Sequence, residues 1–153
     1  MGKQEESIDC FKKVTELDPE FYGGWVNLGG SLLAIGKFKD ALEANTHALQ
    51  LRPDDSLVIS QVALSYYYMH NLPEAKRLFL KLLTLDPESA IGPQLFLAHI
   101  SLAEQNKAEA KEYMNQFLKV HPNSPEAKHL RELLNNLDSI SFSGTEQVAQ
   151  SRR

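Results

Sequence analysis

The chain has 153 residues, 42% of them hydrophobic and 24% charged, which suits one soluble globular domain able to bury a real core. Its formal charge of −4 lacks the basic excess that a nucleic-acid binder presents. Cys10 is the only cysteine, which excludes an internal disulfide and a thiolate metal cluster and reads as a small buried hydrophobe. No apolar run is long enough to cross a bilayer, and the start lacks a charged segment followed by an apolar one. A soluble, cytoplasmic protein is the expectation.

Taken in chain order, residues 4–20 read as a single amphipathic helix with the stripe Ile8, Phe11, Val14 and Leu17. Trp25, Leu28, Gly29 and Leu32 then fall at i, i+3, i+4 and i+7 of a second helix. Gly36 breaks the pattern, and Phe38, Ala41, Leu42, Asn45, Ala48 and Leu49 restart it. The same pair recurs: Ile59, Val62, Ala63 and Tyr66, a turn at His70-Asn71, then Leu72, Ala75, Leu78, Phe79, Leu82 and Leu83. Pro73 sits in the first turn of that helix, where no intrahelical N–H is lost. A third pair carries Leu97, Ala98 and Ser101, then Ala110, Tyr113, Met114 and Phe117, with Pro93 at its start. Ser124-Pro125-Glu126 opens a last helix, with a capping serine and proline at the first helical position. There Ala127, Leu130, Leu134 and Leu137 face inward, and Lys128, Arg131 and Glu132 face water. Residues 138–153 are rich in Ser, Gln and Gly and read as a disordered tail.

Pro19, Pro53, Pro87 and Pro122 close successive segments and lie 34, 34 and 35 residues apart. A fixed period of this length means that one supersecondary unit is copied and stacked. The predicted units are a half repeat over 4–20, full repeats over 22–55, 56–89 and 91–124, and a polar-backed capping helix over 124–137, as a solenoid end requires. The chain begins in mid-repeat, so a piece of a longer array is expected.

The 34-residue unit resembles the tetratricopeptide repeat. In the first full unit Trp25, Leu28, Gly29, Gly36, Phe38, Ala41, Ala48 and Pro53 carry the resemblance. Ala63, Tyr66, Ala75, Phe79 and Pro87 carry it in the second, and Ala98, Ala110, Met114 and Pro122 in the third. Asn45 stands where the family prefers an aromatic, and Leu82 and Phe117 replace a small residue. The resemblance implies an all-α fold, a right-handed α-solenoid of antiparallel helix pairs with a C-terminal capping helix. Small residues such as Ala41 and Ala63 let paired helices approach closely. Gly29 and Gly30 each cost a helix about 1 kcal/mol relative to Ala, which predicts a close helix contact at one and an open floor at the other.

The family also implies a concave face built by the first helix of each repeat. Its lining here would be Val26, Gly30 and Leu33, then Ser60, Leu64 and Tyr67, then Leu95, His99 and Leu102, suited to a partner's peptide or helix with apolar side chains. Members that clamp the carboxylate tail of heat-shock chaperones need Lys, Asn and Arg at positions occupied here by Val26, Gly30, Leu95 and His99. A buried carboxylate would stay unpaired there, so that reading is rejected. An amide ladder of the kind other members use is reduced to Asn27 and Gln61 and is interrupted by Phe96.

No catalytic residue, metal or cofactor is expected. His47, His70, His99, His121 and His129 lack metal-site spacing, and Gly23-Gly24 and Gly29-Gly30 lack the Lys and Ser/Thr of a phosphate loop. Of Tyr66, Tyr67 and Tyr68, helix geometry turns one inward, one to the groove and one to solvent. His99 is expected to hydrogen-bond a bound peptide. The sequence therefore predicts a non-catalytic interaction or scaffold module. The alternatives are a subunit that self-assembles into a homo-oligomer through its exposed initial half repeat, or a regulatory array of a larger protein.

Overall fold

A computed structural model of the protein describes residues 2–139. Among them are eight α-helices and one terminal 3-10 turn, and no strand. The helices group into two units that part between Pro93 and Gln94. The expected tail from residue 140 onward lies outside the described residues.

The first unit contains α1 (Gly2–Leu17), α2 (Tyr22–Ala34), α3 (Phe38–Leu51), α4 (Ser56–Tyr68) and α5 (Leu72–Leu85). Each helix packs on the next, and α2 also touches α4. Links of three or four residues force consecutive helices to run antiparallel. The α1 stripe works as read for Ile8, which is buried, and for Phe11 and Val14, which are half-buried. Leu17 departs from it and is 86% exposed. Cys10 is also exposed rather than buried, because it lies on the side of α1 turned away from Ile8. One core joins Ile8, Leu28, Leu32, Ala41 and Ala44, with Trp25 and Leu33 packed against it.

The second unit contains α6 (Pro93–Ala103) from its second residue onward, α7 (Lys107–Val120), α8 (Pro125–Asn136) and the turn Leu137–Ser139. Its core is Ala98, Ala110, Met114, Phe117 and Leu130. Leu137 is fully buried. Asp138, read from sequence as tail, instead accepts two short hydrogen bonds from Lys111 Nζ, at 2.7 and 2.8 Å, and that ammonium holds its carboxyl below the usual range. Ser124 does occupy the cap position of α8, yet its hydroxyl makes no capping bond. Pro125 at the first helical position removes one of the N–H groups that would otherwise lack an intrahelical partner.

Real caps occur elsewhere. The Asp55 carboxylate accepts from the N–H groups of Leu57 and Val58 at 3.0 and 3.2 Å and starts α4. Asn106 accepts from the Glu109 N–H at 3.2 Å and starts α7. The turn inside each helix pair places one residue in the left-handed region: Gly36 (φ 77°), His70 (φ 58°) and Gln105 (φ 60°). Only the first of these has the residue that adopts such a φ without a Cβ penalty.

Candidate ligand-binding faces

The nine residues projected onto the binding face separate into floor and surface. Val26 and Ser60 are 8% and 3% exposed, so a ligand would not touch them. The Ser60 hydroxyl is spent on the Leu57 carbonyl at 2.6 Å. They sink because α2 and α4 touch, and the side chains nearest that seam are covered by the neighbouring helix. Gly30 is not an open floor: the Gln61 amide lies over it, with Nε2 3.2 Å from where a Cβ would stand. Gly29 is the close contact, pressed by the Asn45 carboxamide. With Gln61 laid over Gly30 and Asn27 exposed, the first unit presents no paired amides at those two positions.

Leu33, Leu64 and Tyr67 remain half-buried at the surface of the first unit. The Tyr67 ring meets Phe79 edge-on at 6.4 Å and Tyr68 at 5.4 Å, and burial raises its phenol pKa. Tyr68 is the exposed member of the run and stacks on Phe38 at 4.9 Å.

In the second unit the geometry goes beyond the sequence reading. Leu95 and His99 of α6 face Pro125, Glu126, His129, Leu130 and Leu133 of α8 across an open hollow of about 320 Å³. Leu102 lies half-buried on the same core. Its walls are chiefly apolar, with two imidazoles and one carboxylate among them. Desolvation by its neighbours, and then the nearby His129, lower the His99 pKa, so the ring stays neutral to lower pH than a free imidazole. The α8 contribution was missed because that helix was read only as a cap. The signal was available: His129 and Leu133 stand 34 residues after Leu95 and His99, so the period continues one helix further.

The other histidines are dispersed. His47 stacks on Trp25 at 4.3 Å, His70 occupies the left-handed turn, and His121 lies beside Phe117 at 4.9 Å. Among the described residues, no three or more His, Cys, Asp or Glu side chains gather where they could hold a metal ion. No described helix is long and apolar enough to cross a membrane.

Two tetratricopeptide-repeat family models match the chain, over residues 1–56 and 97–124, together more than half of it. Two Plasmodium falciparum relatives named Hsp70-Hsp90 organising protein, one from isolate 3D7, are each 24% identical over 154 residues, covering 92% of this chain. The chain spans 58% of one of these relatives and 26% of the other. Among solved structures, MamA superposes with a TM-score of 0.80 at 17% identity, over 90% of this chain and 80% of that one. MamA 41-end from Desulfovibrio magneticus RS-1 gives 0.73 at 22%, over 81% and 70%. The first TPR of Spaghetti (RPAP3), solved with the HSP90 peptide SRMEEVD, gives 0.67 at 19%, over 76% and 93%. These likenesses identify the fold as an α-solenoid of helix pairs. With the repeat spacing, the paired helices and the two matching models in agreement, the chain belongs to the tetratricopeptide-repeat family.

Proposed function

We propose that this chain is a non-catalytic protein-interaction module that holds a peptide or helix of a partner protein by its apolar side chains. The observation that carries the reading is the open hollow between α6 and α8, walled by Leu95, Leu130 and Leu133. A side chain seated there would leave water for a surface already apolar, which contributes about 25 cal/mol per Å² buried. Half-buried Leu64 and Tyr67 offer a second apolar contact on the first unit. A peptide-binding role is in keeping with the SRMEEVD peptide bound by the RPAP3 repeat. The mode differs, because Val26, Gly30, Leu95 and His99 supply no cationic fork for that peptide's terminal carboxylate.

Affinity capture from the native lysate tests this, with the full chain compared against Leu95→Glu and Leu64→Glu and helix content checked by circular dichroism. Loss of the same partner from both variants at unchanged helicity is expected. Retention by both would refute the proposal. The synthetic peptide SRMEEVD should not bind, and tight binding would remove the apolar reading in favour of carboxylate recognition.

A second reading is self-assembly through the initial half repeat. It is favoured by Leu17 at the end of α1 and Phe21 at the start of α2, 86% and 51% exposed. Sedimentation over a concentration series should then show association that Leu17→Glu abolishes. A concentration-independent monomer would eliminate this reading.

A further inference from the structure

A second hollow, of about 310 Å³, opens between α1 and α3 in the first unit, and nothing in the proposed function uses it. Its floor is the face of α2 that carries Trp25, Leu28 and Leu32, completed by Ala44 of α3. Its rim carries Glu16 on one wall and Asp40 and Glu43 on the other, with the Lys12 ammonium, Thr15 and the His47 ring, which stacks on Trp25, also lining it. All four charged side chains are exposed. None of the three carboxylates is held in an ion pair among the described residues. Glu16 stands in the last turn of α1, where the helix dipole disfavours a carboxylate. Its position there is not explained by helix stability.

The same register one repeat later is filled differently. Ala44 is replaced by Leu78, Leu32 by Tyr66 and Glu16 by Gln50, so bulk is added and charge removed. Glu43 is replaced by Arg77, which pairs with Glu74 at 2.8 Å, and His47 by Lys81, which pairs with Asp54 at 2.8 Å. Glu74 of the second repeat is thus paired within its own helix, whereas Asp40 and Glu43 on the matching face of the first have no such pairing among the described residues.

We propose that the hollow between α1 and α3 receives an arginine side chain from a partner protein, its methylene stem against half-buried Trp25, above the buried Leu28 and Leu32, and its guanidinium between Glu16 and the Asp40–Glu43 wall. An apolar floor beneath an anionic rim matches a side chain that is apolar along its stem and cationic at its tip. Carboxylates on opposing walls suit the planar, multi-donor guanidinium better than a point-charge ammonium. This surface lies in the first unit and shares no residue with the hollow between α6 and α8.

Trp25 is the only tryptophan, and its indole N–H donates to the Pro19 carbonyl at 2.7 Å, which gives one sharp reporter. The full chain is titrated, with the indole resonance followed by NMR, against a blocked pentapeptide bearing arginine between alanines. Citrulline and lysine counterparts and free agmatine are run in parallel. The arginine peptide should shift the resonance saturably, with citrulline and lysine at least tenfold weaker, and raising salt from about 50 to 300 mM should weaken binding severalfold. E16Q/E43Q should lose about tenfold or more without unfolding, and Ala44→Leu, copying Leu78, should abolish the response. No saturable shift, equal binding by citrulline or lysine, tighter binding of agmatine than of the peptide, or full binding by E16Q/E43Q would each overturn the proposal.

Discussion

Asn45 and Phe79 occupy the same place in consecutive repeats, 34 residues apart, and both are fully buried. Phe79 meets the Tyr67 ring edge-on. Asn45 lies against the bare backbone of Gly29, with neither atom of its carboxamide hydrogen-bonded. The third repeat follows the second, with Met114 and Ala98 at the two places, both fully buried. The difference teaches that helix spacing is a joint property of two residues. A glycine on one helix lets a polar side chain from the other occupy the space of an alanine and an aromatic ring. The cost is a desolvated amide, on the order of 1–3 kcal/mol, which the second repeat does not bear at this place.

The most severe way to break this contrast is to give the second repeat the residue of the first. Phe79→Asn removes a buried ring and strands an amide, and about 3–5 kcal/mol of stability should be lost in urea unfolding. Gly29→Ala comes next. Its new Cβ would stand 2.7 Å from Asn45 Nδ2, nearer still to the rest of the carboxamide, and the buried group has little room to turn. A loss of about 1–3 kcal/mol is expected, and most of it should be recovered in the double variant Gly29→Ala/Asn45→Ala. Simple additivity of the two substitutions would show that the contact is not the cause.

Asp55 joins the two repeats by capping α4 at their junction. Burial pushes its carboxyl up, but the Tyr22 hydroxyl facing it, the Val58 and Leu57 N–H groups and Arg52 outweigh this and hold its pKa below the ordinary value. A carboxyl lowered on folding stabilises the protein above its unfolded pKa and loses that contribution as pH falls through the folded one. Asp55→Ala should therefore cost about 1 kcal/mol at pH 7. The gap from the unsubstituted chain should narrow on acidification through the carboxylate range, as thermal melts across that range would show. The smallest effect concerns the turns. His70→Gly and Gln105→Gly remove a Cβ from the left-handed region and should each raise stability by a few tenths to about 1 kcal/mol, whereas Gly36→Ala should lower it.

Much of the fold was legible from periodicity, because a stripe of apolar residues at helical spacing must be buried by a neighbour. Trp25, Leu28 and Leu32, or Ala75, Leu78 and Phe79, admit no other arrangement. The binding face was only partly legible. Position within a repeat placed Leu64, Tyr67, Leu95 and His99 at or near a surface, but it could not distinguish them from Val26 and Ser60, which the contact of α2 with α4 covers. Nor did single-residue patterns assign Glu16, Asp40 and Glu43 to one rim, since they belong to helices separated in sequence by α2.

The amino-acid order by itself determined the helices, their pairing and the length of the repeat, all of which follow from local periodicity and short links. Tertiary structure alone decided which groove positions meet solvent, that Asn45 is accommodated by Gly29, and that α8 completes a hollow with α6. Those outcomes depend on how closely two particular helices approach, and that distance is set by the volumes of side chains contributed from both.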